Sequence, residues 1–292
     1  MPNVVARAVK SWLKTSVHKV NSLRAKPELE SLMKHQSPAV NAVGAALYDV
    51  LNSAHSPEER MTFEKIEQRR ETLLNSNADI SVMDYGAGSP SSIRTHEEMA
   101  QGVEFHSTIR AVCRSSKPAF WGVFLFKLIR YLQPNNCLEL GSCVGISASY
   151  QASALHMNNK GKMLTLEGSP EVAKVAQESL DFMDLNNTSI VMGPFHSTLH
   201  KTLSAHQPID YLFNDGHHDH DAVLEYFNTA LPYLAKSTVM IIDDINWSEG
   251  MRNAWQEIEE DERVALSIDM NEIGIALITD TLTSKEIIKI PL

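Results

Sequence analysis

The run Cys137-Leu138-Glu139-Leu140-Gly141-Ser142-Cys143-Val144-Gly145-Ile146-Ser147 constrains this chain more than any other stretch. An apolar segment of strand length runs into a turn punctuated by glycine, and a helical stretch begins at Ser147 and continues to Leu155. Without a Cβ, Gly141 and Gly145 let the backbone turn sharply and approach a ligand, while the first helical amides present unpaired donors. In open α/β sheets ligands bind in the crevice beyond such strand ends.

The segments around this run support a parallel sheet. Met163–Leu166, Ile190–Met192, Tyr211–Phe213 and Val239–Ile242 read as further short strands separated by helical lengths. Val264–Ile268 and Ile273–Thr279, with Asn271 between them, predict an antiparallel hairpin rather than another crossover. The expected fold is α/β, a mostly parallel Rossmann-like sheet with a C-terminal hairpin, flanked by helices. A boundary near Gln133-Pro134-Asn135-Asn136 divides it into residues 133–292, the ligand-binding domain, and residues 1–132, a mostly helical cap and lid region.

Within that first part, Ser56 ahead of Pro57-Glu58-Glu59 marks a helix start, and Phe63, Ile66, Arg70, Leu73 and Leu74 follow at helical spacing. Asp84-Tyr85-Gly86-Ala87-Gly88-Ser89-Pro90 reads as a loop or lid. Trp121–Leu132 reads as a helix packed beside the first strand. Tyr85, Arg94, His96, His106 and Arg110 are the polar or aromatic residues of the lid region that could meet a substrate. Leu29, Leu32, Val40, Val43, Leu47 and Val50 predict an apolar face for a second subunit, hence a homodimer.

A formal net charge of -10 argues against a nucleic-acid surface and favours a small-molecule substrate. Three irregularly spaced cysteines form neither a disulfide framework nor a metal knuckle, which fits a reducing, cytoplasmic compartment. No apolar run approaches membrane-spanning length, so no membrane partner is expected. Met1–Pro27 carries Arg7, Lys10, Lys14, Lys19, Arg24 and Lys26 with no acid, a composition shared by transit peptides and by basic cap helices; the cap helix is the preferred reading.

A dinucleotide fingerprint would need glycine at 141, 143 and 146, but Cys143 and Ile146 stand at two of these positions, which disfavours NAD. Glu139 is placed to receive the ammonium of a methionine-type cofactor, directly or through water. Glu167 ends the second strand and could hold both ribose hydroxyls, or simply cap the helix that begins near Pro170.

On these residues the chain resembles class I S-adenosylmethionine-dependent methyltransferases of the catechol O-methyltransferase-like branch, over roughly Cys137 to Thr279. It resembles more closely a bacterial group of class I methyltransferases with DxGAGS before the domain, here Asp84 to Ser89, and DDIxW after strand five, here Asp243 to Trp247. The resemblance implies S-adenosyl-L-methionine as cofactor, with Glu139, Gly141, Ser142, Gly145, Ser147, Glu167, Gly193, Phe195 and Asp215 around it. Cys143 departs from the glycine common in the wider superfamily.

Strand four delivers Asn214-Asp215-Gly216-His217-His218-Asp219-His220-Asp221 to the carboxyl edge of the sheet, and strand five delivers Asp243-Asp244-Ile245-Asn246-Trp247 beside it. Converging carboxylates suit Mg²⁺ or another hard divalent ion, and the resemblance implies Asp215, Asp243 and Asp244 as its ligands. Alternatives are a transition metal on His217, His218 and His220, or no metal, with Asp243 and Asp244 capping the next helix or binding loop amides. Where the family places its proton acceptor this chain has His218, and imidazole, titrating near about 6.5, can take a hydroxyl or amine proton. Asp215 and His218 are thus the catalytic candidates, and Tyr85, His217 and Trp247 the substrate wall.

The leading expectation is methyl transfer to an oxygen, or less readily a nitrogen, of a small metabolite. Competing readings are a metal-dependent oxygenase or hydrolase on the same frame, and a non-catalytic interaction protein.

Overall fold

The computed structural model describes residues 26–89, 92–282 and 284–292. Apart from Lys26 and Pro27, the basic N-terminal stretch lies outside the described residues, and with it the choice between transit peptide and cap helix. Helix α1 is described over residues 26–32. After it come α2 (Pro38–Leu51), α3 (Pro57–Leu74), β1 (Asp79–Asp84), β2 (Gly88–Ser89), β3 (Ser92–Ile93), α4 (His96–Gln101), β4 (Val103–Thr108), α5 (Ile109–Cys113) and α6 (Ala119–Leu132). A regular alternation then begins: β5 (Asn136–Leu140), α7 (Ile146–Asn158), β6 (Lys162–Glu167), α8 (Pro170–Phe182), β7 (Thr188–Met192), α9 (Phe195–His206), β8 (Ile209–Asn214) and α10 (His220–Ala230). It closes with β9 (Leu234–Ile242), α11 (Glu249–Glu260), β10 (Leu266–Asp269), β11 (Gly274–Thr279) and β12 (Glu286–Lys289).

Among the described residues eight strands form one sheet in the order β12-β10-β11-β9-β8-β5-β6-β7. The pairs β5/β6, β6/β7, β5/β8 and β8/β9 are parallel, while β11 runs antiparallel to both β9 and β10. The C-terminal hairpin is therefore as expected. Strand β12, parallel to β10, was not foreseen, since Glu286-Ile287-Ile288-Lys289 is a short edge segment with Ile287 exposed. Between β5 and β8 the strand order reverses, which opens a crevice at their carboxyl ends.

The residues of β5 face apolar layers on both sides, as a central parallel strand requires. Cys137 joins Tyr211 and Phe213 in the core beneath α6 and α7, whereas Leu138 and Leu140 pack with Leu203, Phe227 and Trp255 on the opposite face. A capping box starts α3: the Ser56 hydroxyl accepts from the Glu59 amide at 3.1 Å, and Glu59 accepts from the Ser56 amide at 2.8 Å.

The first 132 residues depart from expectation in two ways. Helices do not account for all of them: β1 pairs antiparallel with β4, from Asp79 opposite Thr108 to Asp84 opposite Val103. Ile80 and Val82 are the buried positions of β1, too short an alternation to stand out in sequence. This ladder docks over the tip of β6, where the Ser81 amide donates to Glu171 at 2.6 Å and the Met83 amide to the Ser169 hydroxyl at 3.2 Å.

Second, the apolar face assigned to a second subunit is covered by the chain itself. Leu29, Leu32, Val40, Val43 and Leu47 are buried in the same core as Phe124, Leu128 and the sheet, each fully buried leucine contributing about 1.5–3 kcal/mol. Lys127 of α6 is also buried, with its ammonium 2.9 Å from Asp49 and 2.8 Å from Glu59, and donating to the Ala54 carbonyl at 2.8 Å. One core thus runs from Leu29 to Ile290, across the boundary at Gln133. Among the described residues no helix is long and apolar enough to cross a membrane.

Candidate active site

A cavity of about 510 Å³ opens at the carboxyl edge of β5, β6 and β8, roofed by β1 and the segment after it. Its floor is the loop after β5. The Gly141 amide donates to the Leu166 carbonyl and the Asp215 amide to the Leu140 carbonyl, both at 2.9 Å, tying three strand tips together. Gly141 has φ +95°, and a Cβ there would collide with the Asp215 carbonyl. Gly145 has φ +82°, with a Cβ placed 2.8 Å from the Ala176 carbonyl oxygen. Cys143 adopts the left-handed region as a non-glycine (φ 48°), storing roughly 1–2 kcal/mol of strain.

That strained residue directs its amide at Glu167. One carboxylate oxygen of Glu167 accepts from the Cys143 amide and the other from the Ser169 amide, each at 2.9 Å. Burial raises its pKa to about 7, against the opposing pull of those amides. Ser169, not Glu167, is the N-cap of α8, and Glu167 faces the cavity.

Gly141, Ser142, Ser147, Phe195 and Asp215 also line the cavity, together with Tyr85, His217, His218, Asp244 and Trp247. Glu139, Gly145, Gly193 and Asp243 do not. Glu139 is fully buried behind the loop and accepts from Thr165 at 2.5 Å and from Gln151 at 2.6 Å. Burial lifts its pKa to about 7. Gly145 and Gly193 both hold positive φ, +82° and +130°.

The turn after β8 is strained as well, with His217 at φ 75° and His218 at φ 42°, and Asp244 after β9 at φ 52°. His217 Nδ1 lies 2.7 Å from the Tyr226 hydroxyl. Burial lowers its pKa to about 4, so it is a neutral wall residue at physiological pH. His218 points differently: its Nε2 is 3.9 Å from Asp215 and 3.8 Å from Asp244, and its ring lies 5.8 Å from that of Trp247. His220 is turned to Asp221 and Glu257, at 2.7 and 2.8 Å. The three histidines thus aim at separate sets of partners and do not converge on one point.

The lid segment is fastened. Ala87 donates to the His217 carbonyl at 2.9 Å, and Arg94 bonds Asp84 at 2.7 Å and the Gly86 carbonyl at 2.9 Å. Arg94, His96, His106 and Arg110 do not line the cavity. Arg110 instead donates to the Leu74 carbonyl at 2.8 Å, and His96 lies 3.6 Å from Asp221. Helix α11 is capped by Ser248, which accepts from Met251 at 3.1 Å, so neither Asp243 nor Asp244 caps it. Met251 and Trp255 are core, and Trp247 alone of that stripe reaches the cavity.

Sequence reasoning missed Lys117. Its side chain, 6% exposed, enters the acidic cluster from the N-terminal region, in contact with Asp243 and 3.7 Å from Asp244 and 3.5 Å from Glu272. Arg70 holds its carbonyl at 2.8 Å and is itself clamped on Glu67 at 3.0 Å. Burial disfavours the ammonium, but Asp243, Asp215 and Asp244 outweigh it and raise its pKa, so it stays charged. Burial conversely raises the pKa of Asp215 to about 6. Asp215, Asp243 and Asp244 converge as expected, and the oxygens of Asp243, Asp244 and Glu272 that lie close enough to share an ion surround the Lys117 ammonium.

Comparison with known proteins agrees with this architecture. A family model described as "Methyltransferase domain" matches residues 138–245. Catechol O-methyltransferase of Niastella koreensis is 33% identical over 126 residues, 42% of this chain and 55% of that protein. The chain thus spans about half the length of this curated relative. A provisionally assigned O-methyltransferase of Klebsiella pneumoniae superposes with a TM-score of 0.51 at 19% identity, covering 77% of this chain and 91% of that one. The S-adenosylhomocysteine-bound methyltransferase PaMTH1 of Podospora anserina gives 0.50 at 18%, covering 57% and 80%. Residues 138–245 are thus similar to a methyltransferase domain, and the sheet shares the Rossmann-like frame of these structures.

Proposed function

We propose that the chain is an S-adenosylmethionine-dependent methyltransferase acting on an oxygen of a small molecule. One observation carries the reading: a single cavity is lined by the Gly141 loop and the Glu167 carboxylate together with His218, Asp215 and Trp247. Its volume, about 510 Å³, falls in the range of ligand pockets, roughly 300–1,000 Å³. Bound there, the cofactor supplies an electrophilic methyl group on a sulfonium.

The chain's own groups supply the rest. Glu167, held by two amides, has lone pairs left for ribose hydroxyls, and Phe195 offers a ring edge-on to Tyr226, 5.6 Å away, as a wall for a flat base. Ser142 and Ser147 stand beside the loop amides for a carboxylate end. His218, between Asp215 and Asp244, accepts the proton of an acceptor hydroxyl, and Trp247 shapes the wall beside it. The roof formed by β1 and Tyr85 excludes water from the transfer. Calorimetric titration with S-adenosylhomocysteine should give one site per chain, weakened on the order of tenfold or more by Glu167→Ala. No heat of binding, or an unchanged affinity in the variant, refutes it.

A further inference from the structure

We propose that the Lys117 ammonium is the resident cation of the acceptor site, so that this methyltransferase works without a divalent ion. The inference rests on the function proposed above and deepens it.

Lys117 lines the cavity while remaining 94% buried, a costly position for a charge unless it is paired. Its contacts are the carboxylates of Asp243, Asp244 and Glu272, one of the two acidic groupings close enough to share an ion. A divalent ion on those oxygens would sit within a few ångströms of a fixed positive charge, a strongly repulsive arrangement in a partly desolvated site. The second grouping, Asp215, His218 and Asp244, shares Asp244 with the first and meets the same charge. The lysine is also built in: Pro118 follows it as the N-cap of α6, and Arg70 pins its carbonyl.

The chemistry follows from this placement. An acceptor hydroxyl beside the ammonium is stabilised as it becomes an oxyanion. Its proton passes to His218 Nε2, its lone pair forms the bond to the methyl carbon, and the carbon–sulfur bond breaks with its electron pair going to sulfur. The products are the methyl ether and S-adenosylhomocysteine, and the imidazolium returns its proton to solvent. Because an ammonium gives point contacts and not a chelate, one oxygen suffices on the acceptor, and no vicinal pair is required.

Manganese titration followed by the paramagnetic resonance of free Mn²⁺ tests this without turnover, on the full chain with S-adenosylhomocysteine bound. Wild type should leave the Mn²⁺ signal undiminished, while Lys117→Ala, folded by circular dichroism, should take up Mn²⁺ on the order of tenfold more tightly as the repulsion is removed. Stoichiometric Mn²⁺ on wild type, lost in Asp243→Asn, overturns the proposal whether or not the lysine variant folds. Failure of the methyltransferase reading is seen separately, as absence of S-adenosylhomocysteine binding before any metal is added.

Discussion

Cofactor affinity should depend on pH through Glu167. Burial raises its carboxyl to a pKa of about 7 in the unliganded protein, while ribose hydroxyls donate to the ionised form. Binding therefore expels a proton whenever the pH is below that value, and affinity rises with pH until the carboxylate is fully ionised. One unit of protonation is about 1.4 kcal/mol, so S-adenosylhomocysteine should bind roughly tenfold more weakly at about pH 6 than on the plateau near pH 8. Calorimetry in two buffers of different ionisation enthalpy should show close to one proton released at the lower pH and almost none at the higher. Glu167→Gln should abolish the slope. Glu139, whose burial also puts its pKa at about 7, lies off the cavity wall, so Glu139→Gln should retain the slope. A flat profile in wild type, or a slope that survives Glu167→Gln, would show that Glu167 does not carry the ribose contact.

Three further outcomes are expected. His218→Ala should reduce kcat by about 10²–10⁴ in a methyl-transfer assay and leave the Kd for S-adenosylhomocysteine within threefold of wild type; a loss of both together would make His218 a structural residue. Lys127→Met strands Asp49 and Glu59 in the core and should cost about 3–5 kcal/mol in urea unfolding, whereas a change under about 1 kcal/mol would show that the N-terminal helices are not part of the cooperative unit. Gly141→Ala must place a Cβ against the Asp215 carbonyl at φ +95°, so thermal unfolding should shift down by several degrees with cofactor binding lost, and a variant that binds normally would contradict the tight loop.

The sheet was legible because buried parallel strands leave short apolar runs at regular intervals, and because Gly141 and Glu167 sit where only a few chemistries need those residues. Glu139 holds a conspicuous position in the motif, but its burial against Thr165 depends on pleat and packing that the sequence does not display. The β1–β4 ladder escaped notice because Ile80 and Val82 alone carry its alternation. The supposed dimer face was an amphipathic pattern correctly seen, but assigned to another chain when α6 of the same chain covers it. Lys117 carried no signal at all. A single lysine before a proline has no spacing relation to acids that arrive on β9, and only the folded chain reveals that Arg70 and the strand tips bring them together.

The central claim is that the cavity over β5, β6 and β8 holds S-adenosylmethionine. A crystal structure of the chain grown with S-adenosylhomocysteine tests it most directly. The nucleoside should lie in that cavity, with its ribose on Glu167 and its sulfur on the side of His218; density for it at any other place, or a cavity left unfilled at saturating ligand, would rule this site out.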